Sequence, residues 1–555
     1  MLEGRTTVTD DTLWTQCVRW RAVPAWPAMA ARASAPGFLV RARGQWRLVC
    51  RFLALASVVA VSGCAVNPVT GQRDLMLVSE AQELQIGAQQ YAPSQQSQGG
   101  SYDLDPELTR YVQGVGLRLA AVSDRALPYE FVVLNNSVPN AWALPGGKIA
   151  VNRGLLLELQ SEAELAAVLG HEIVHAAARH SAQQISRGQL AQVGLAAAAI
   201  GYGNREGAEL VVGGAQLATQ LVMQRYGRDA ERESDRYGMQ YMKRAGYDPA
   251  AAVSLQQTFL RLSEGRASNW LEGLFASHPP SAERVANNQA LLSELGAGGA
   301  LERERYQAAI GRIRRAAPAY AAFDKGQKAL AEGKLAEAEQ LAREAIRLEP
   351  REAMFQSLLG DIARKRGDGR ASLAAYDQAV RLNDRFFLHP LKRGFARLQA
   401  GNRAGGQQDL ETSVRLLPTA AAMNELGKLA MNSGNPSAAR GYFEGAAGAQ
   451  GPVGEEARVQ LARMDLGSDP SRVLRLRAFV DAGQLGAEIA NPSPVGASEV
   501  VVEFLARAEP GAAVQRSQRI VRVLAAGQRT IVASGLSVGT NPETQVRIVS
   551  ARVTE

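Results

Sequence analysis

Five histidines occur in 555 residues, and two of them flank a short segment of distinctive spacing, His171-Glu172-Ile-Val-His175. Residues four apart on a helix share a face, so both imidazoles project to one side. Neutral imidazole binds zinc well, and two ligands on one rigid helix arrive already oriented. Glu172 stands beside the first of them, where its carboxylate can take a proton from a water that zinc acidifies to a pKa of about 7. The H-E-x-x-H spacing therefore points to zinc-dependent hydrolysis with Glu172 as the catalytic base. Ile173, Val174, Ala176 and Ala177 are uncharged, as a buried site helix requires. His180 reads as a partly exposed helix residue.

Catalytic zinc needs a third protein ligand and an open fourth position. Glu231 is the candidate, in Asp229-Ala-Glu231-Arg-Glu233-Ser-Asp235-Arg-Tyr-Gly238. Glu231 and Asp235 are also four apart and share a helix face. One carboxylate can bind zinc while the other hydrogen-bonds a zinc-binding His. Glu233 points elsewhere on that helix, which favours Glu231 as the ligand and Asp235 as its support. His278 lies in a stiff loop, Ala276-Ser-His278-Pro-Pro280, whose backbone could hold an imidazole in one place. Three roles stay open for it: a fourth ligand that shuts the site, a donor to the oxyanion, or simple packing.

These side chains need rigid elements beneath them. Apolar residues at helical spacing predict a helix from Pro106 to about Leu119 and another from Ser161 to Gln184, with Ser161 and Glu164 spaced as a capping box. Glu130-Phe-Val-Val-Leu134 and Lys148-Ile-Ala-Val-Asn152 read as strands around the turn Ala141-Trp-Ala-Leu-Pro-Gly-Gly147. The Gln/Ser/Gly-rich stretch 92–104 reads as a flexible connector. Two apolar stretches near 190–203 and 209–223 read as buried helices or a mobile cover.

From about residue 319 the chain repeats. Gly326, Gly360, Gly394 and Gly427 are spaced 34, 34 and 33 apart, in step with Ala338, Ser372, Gly406 and Ala439 and with Ala345, Ala379, Ser413 and Ala446. Small residues at this period resemble tetratricopeptide repeats, whose paired helices stack into a superhelix with a concave groove. After Pro492, four short β-type runs predict a small β-sandwich. The expected fold is multidomain and mainly α. A zincin-type α+β domain occupies 105–300, the α-solenoid 319–470 and the β-sandwich 490–555.

The amino-terminal 63 residues differ in texture. They hold eight Arg against three acidic residues; the remainder carries 54 basic and 51 acidic residues, too balanced to suggest a nucleic-acid partner. Arg41, Arg43, Arg47 and Arg51 precede the apolar run Phe52 to Val61, a signal-peptide pattern that ends in Val61-Ser62-Gly63-Cys64. That ending resembles the lipobox of bacterial lipoproteins, which implies cleavage before Cys64 and acylation of its thiol. A lipid-anchored segment over 64–104 would follow. Ala65 after the acylated position favours the outer membrane within that resemblance. The body beyond Cys64 has no cysteine, so it can form no disulfide in an oxidising compartment.

His171-Glu172-Ile-Val-His175, the E-x-x-[AS]-D-x-x-G run from Glu231 to Gly238, Gly246-Tyr-Asp-Pro249 and Asn140-Ala-Trp-Ala-Leu-Pro-Gly-Gly147 together resemble the HtpX and CAAX-prenyl-protease family of gluzincins. With the repeats, they are most similar to its periplasmic, BepA-like branch. Ser234 stands where that family usually has Ala, and the carboxy-terminal β segment lies outside its typical architecture. The resemblance implies one zinc per chain, endopeptidase activity and a role in outer-membrane protein quality control. Expected partners are misfolded or stalled outer-membrane proteins and, through the repeats, their assembly machinery. Asn140 is a candidate substrate contact, and the strands between 130 and 152 could bind substrate by β-augmentation. The rival expectation is a chaperone-like assembly adaptor whose protease is mostly latent.

Overall fold

The computed structural model describes residues 64–189, 226–265, 278–507, 513–539 and 542–554. The leader and both apolar stretches near 190–203 and 209–223 lie outside the described residues. Strands β1 (Cys64–Val66) and β2 (Arg73–Leu75) form a hairpin, followed by helices α1 (Glu80–Ser97) and α2 (Pro106–Ala120). Ser79 and Gln82 form a reciprocal capping box at the start of α1, and Asp105 caps α2 just before Pro106.

The expected connector over 92–104 is instead helical as far as Ser97. Gly87, Gln90 and Ser94 are buried along this helix, so its polar composition hides a packed face. A Cβ at Gly87 would lie 1.9 Å from the carbonyl oxygen of Pro145, so only glycine allows this approach. Further on, Gln96 accepts from the Phe387 N–H at 2.8 Å and donates to the Arg385 carbonyl at 2.8 Å. The segment is thus a strut between the site region and the repeats.

Three strands make the next layer: β3 (Glu130–Leu134), β4 (Ala141–Leu144) and β5 (Lys148–Asn152), in the order β3-β5-β4. Central β5 runs parallel to β3 and antiparallel to β4, and every residue in it is buried. After α3 (Arg153–Glu158) comes α4 (Glu162–Ala177), which carries His171, Glu172 and His175. All sixteen residues of α4 are buried. The two acids of its first turn are satisfied: Glu162 accepts from Tyr111 and Tyr247, and Glu164 from Ser254 and the Gln160 N–H. Ser161 caps the Glu164 N–H, but Glu164 bonds Gln160, so only half of the expected capping box forms.

The helix expected to run on to Gln184 breaks at Ala178. Arg179 takes the left-handed conformation (φ 64°), and a helix resumes at His180. Buried Glu83 on α1 holds Arg179 at 2.7 Å and Arg125 at 2.9 Å. Glu83→Ala would leave buried Arg179 without its carboxylate and partly buried Arg125 with only Glu80. It should destabilise the chain by about 3–5 kcal/mol in urea unfolding.

Helices α5 (Arg228–Arg244), α6 (Ala250–Gly265), α7 (Ala282–Leu295) and α8 (Arg303–Ala309) complete the site region. Four helix pairs follow: α9 (Gly311–Ala331) with α10 (Leu335–Leu348), α11 (Ala353–Lys365) with α12 (Gly369–Leu382), α13 (Leu388–Gln399) with α14 (Arg403–Leu416), and α15 (Ala420–Asn432) with α16 (Pro436–Ala447). The small-residue columns lie in the pair interfaces. Added Cβ atoms would come within 2.5 Å of the Tyr376 ring at Gly360 and 2.6 Å of the Phe443 ring at Gly427. The first pair and α11 share one core with the site region, through Tyr306, Ile310, Ile313, Tyr320, Phe323 and Phe355. Glu352 accepts from Tyr320 (2.6 Å) and Asn135 (2.9 Å) in that buried contact.

Helix α17 (Pro452–Ser468) leads into six antiparallel strands, β6 (Arg475–Asp481), β7 (Gln484–Ala490), β8 (Ala497–Arg507), β9 (Gln515–Leu524), β10 (Arg529–Ser537) and β11 (Glu543–Val553). They form two sheets, β10-β7-β6 and β11-β8-β9. Their common core holds Leu485, Ala487 and Ile489 against Val500, Val502 and Phe504. The expected sandwich is present, but its first two strands begin before residue 490. Among the described residues no helix is long and apolar enough to cross a membrane.

Candidate active site

Helices α4 and α5 cross on two glycines. A Cβ on Gly170 would lie 3.1 Å from the Gly238 carbonyl oxygen, and one on Gly238 would lie 3.1 Å from the His171 backbone nitrogen. This close crossing sets Glu231 and Asp235 of α5 against His171 and His175 of α4. His278 joins them from the segment before α7. One donor atom from each of His171, His175, Glu231 and His278 lies within 4.8 Å of every other.

The contacts are specific. His175 Nε2 lies 3.0 Å from His171 Nε2, and Glu231 lies 3.5 Å from each of those nitrogens. His278 Nδ1 is 2.8 Å from Glu231 Oε1 and 3.2 Å from His171 Nε2. His171 Nδ1 meets Asp235 Oδ1 at 3.0 Å, and His175 Nδ1 meets His180 Nδ1 at 2.9 Å. With both rings neutral and both Nδ1 atoms donating, the two Nε2 lone pairs face each other. A cation between them relieves that repulsion. Glu172 Oε2 and Glu231 Oε2 are buried without hydrogen-bond partners. Two imidazoles and a carboxylate, with these orphaned oxygens nearby, fit zinc.

Arg284, near the start of α7, is buried beside the group. It donates to both oxygens of Asp235, at 2.7 and 2.6 Å, and its Nη1 lies 3.0 Å from Glu231 Oε2 without hydrogen-bond alignment. Burial would lower the His171 pKa, but Asp235 and Glu231 outweigh it and push it up to about 9. Burial would raise Glu231, yet His278, His171 and His175 hold it well below the carboxylate range. Burial would likewise raise Asp235, and Arg284 and His171 keep it low. His175 is driven down by burial, with His171 and His180 adding to the effect. Glu172 is raised by burial, against the pull of His278 and His171. These directions belong to the metal-free group; a cation there must displace the His171 proton.

One expectation changes. His180 is 3% exposed rather than partly exposed, because the break at Arg179 turns it back onto His175. Glu233 does point away from the ligand cluster, as its place on α5 implies, but it lies 3.4 Å from His180 Nε2. Asn140 is buried just before β4. Its carbonyl accepts from the Asn152 N–H, and its Oδ1 has no hydrogen-bond partner. The apolar cavity beside His171 and Glu172 is lined by Val168, Met239, Met242, Leu255 and Phe259 and does not include Asn140. Arg284 and Tyr226, whose ring stacks on His175 at 3.9 Å, were not anticipated. Neither stands at a spacing that would single it out.

A buried His-Glu-x-x-His helix crossed by a Glu-bearing helix, over a small mixed sheet, defines a zincin-type metallopeptidase domain. The family model for peptidase family M48 matches residues 106–291, and the chain belongs to that family. The β-barrel assembly-enhancing protease of Escherichia coli (strain K12) is 30% identical over 218 residues, which cover 38% of this chain and 44% of that protein. The mitochondrial metalloendopeptidase OMA1 of Schizosaccharomyces pombe is 37% identical over 190 residues, 34% of this chain and 53% of that protein. Metalloprotease YcaL of Escherichia coli (strain K12) is 30% identical over 179 residues, 31% of this chain and 67% of that protein. The chain thus spans less than half the length of the β-barrel assembly-enhancing protease that it matches.

Proposed function

We propose that this chain is a zinc endopeptidase of the bacterial periplasm that acts in quality control or assembly of outer-membrane proteins. The convergence of His171, His175 and Glu231 beside buried Glu172 carries the catalytic part. His171 and His175 would hold one zinc through Nε2, and Glu231 through its carboxylate. Bound zinc polarises a peptide carbonyl and acidifies a water. Glu172 is the base. Burial raises its proton affinity, so it can hold the transferred proton and pass it to the leaving amine. Asp235, clamped by Arg284, fixes the ring of His171. Strand β4 is last in its sheet, where an extended substrate would pair if it binds by β-augmentation.

The relatives named as β-barrel assembly-enhancing proteases support outer-membrane proteins as substrates, and the repeats are suited to holding an assembly partner. The activity is tested on an unfolded outer-membrane β-barrel protein. Cleavage should stop on chelation and return with about one equivalent of zinc. Cleavage that resists chelation would contradict it. For the membrane anchor, mass spectrometry of detergent-extracted protein should find an acylated amino-terminal Cys64. A mature chain that starts elsewhere, with this thiol unmodified, would remove the anchor.

Partial latency has its own support, the position of His278. Its Nδ1 stands among the three ligands, and its Nε2 is 3.5 Å from Glu172, so the ring would compete with substrate and water for a bound zinc. Four protein ligands make a closed site and three an open one. His278→Ala should therefore raise proteolysis at matched zinc content, by up to about tenfold if the open form is about one-tenth populated. A fall in rate would assign His278 to the oxyanion, and an unchanged rate would leave it a packing role.

A further inference from the structure

Resting on the zinc site proposed above, we infer that His180 and Glu233 are positioning residues that hold His175 through a two-step relay, a hydrogen bond between the two rings and then an ion-pair contact from His180 to Glu233. His175 turns Nε2 toward His171 and Glu231, which leaves Nδ1–H as its second-side donor. The acceptor is His180 Nδ1, 2.9 Å away. Accepting there places the His180 proton on Nε2, and that nitrogen faces Glu233 Oε1 at 3.4 Å. The same Glu233 oxygen accepts from Asn67 Nδ2 at 3.1 Å. The relay therefore runs from a ligand imidazole through a second imidazole to a carboxylate anchored on the β1–β2 hairpin. His171 meets its carboxylate, Asp235, directly. The second ligand reaches one through an intervening ring.

The backbone is built for this contact. A straight continuation of α4 would place His180 five residues past His175 on a different face. The left-handed turn at Arg179 redirects it. That turn is held by the Arg179 side chain, which donates to Glu83 at 2.7 Å and to the Val78 carbonyl at 2.9 Å. Tyr226 packs flat on His175, and its hydroxyl lies 2.9 Å from Ser181 Oγ. Both features fix the His175 ring plane, and neither supplies the acceptor that its Nδ1 requires.

The test is zinc affinity of the full chain, measured by competition with a chelator of known affinity. His180→Ala and Glu233→Ala should each weaken zinc binding by about 10- to 100-fold. His180→Gln keeps an acceptor for His175 and a donor for Glu233, and should stay within about threefold of wild type. The double variant should be no weaker than His180→Ala, since one relay is broken once. Unfolding of the zinc-free chains separates loss of fold from loss of positioning; if His180→Ala does not fold, Glu233→Ala and His180→Gln decide the matter. Wild-type affinity in the alanine variants, a glutamine variant as weak as alanine, or additive losses would each overturn the relay. A wild-type chain with no zinc affinity would instead overturn the site on which it rests.

Discussion

Glu172→Gln should bind zinc as wild type does and lose proteolysis by about 10²- to 10⁴-fold, the range for removal of a positioned acid–base group. The substitution preserves size and removes the proton acceptor. Glu172 makes no hydrogen bond at Oε2, so no structural partner is lost there. Initial rates at matched zinc content check it. The inactive variant should also retain substrates and repeat-domain partners, which would separate catalysis from any adaptor role. A variant that still cleaves at a rate near wild type would assign the base elsewhere.

Glu231→Ala is expected to weaken zinc binding by at least about 100-fold and to abolish activity at micromolar zinc, because a catalytic site cannot spare one of three ligands. His278 also loses its closest carboxylate contact, at 2.8 Å. Arg284 keeps its paired bonds to Asp235, so the crossing of α4 and α5 should survive. Zinc per chain after dialysis reads the effect. Full zinc and full activity would mean that the third ligand is another residue.

The ligand helix was legible because helical period and ligand spacing coincide. His171 and His175 had to share a face, and the pairing of Glu231 with Asp235 followed the same rule. The break at Arg179 was not legible. Ala176-Ala-Ala178 continues a helical pattern, and the turn is imposed by Glu83, which lies 96 residues earlier. Arg284 is a lone arginine whose role exists only once α7 packs beside α5. The polar stretch after Tyr91 misled through composition, since it continues a helix whose buried face is made of Glu83, Gly87, Gln90 and Ser94.

In the repeats, the small-residue columns exposed the period, while a further column went unread. Gly333, Gly367, Gly401 and Gly434 all have φ between 75° and 85° and end the first helix of each pair. The hairpin β6–β7 was hidden for a related reason. Its two-residue turn is Ala482-Gly483, with φ of 47° and 74°, and Ala is an unusual residue in such a turn. Arg475 and Arg477 also broke up the apolar run of β6.

The central claim is that one zinc sits between α4 and α5. Anomalous scattering at the zinc edge, from crystals of the full chain, tests it most directly. A single peak is expected about 2.0–2.2 Å from His171 Nε2, His175 Nε2 and a Glu231 oxygen. A peak away from these three atoms, or none in a chain that still cleaves protein, would contradict the account.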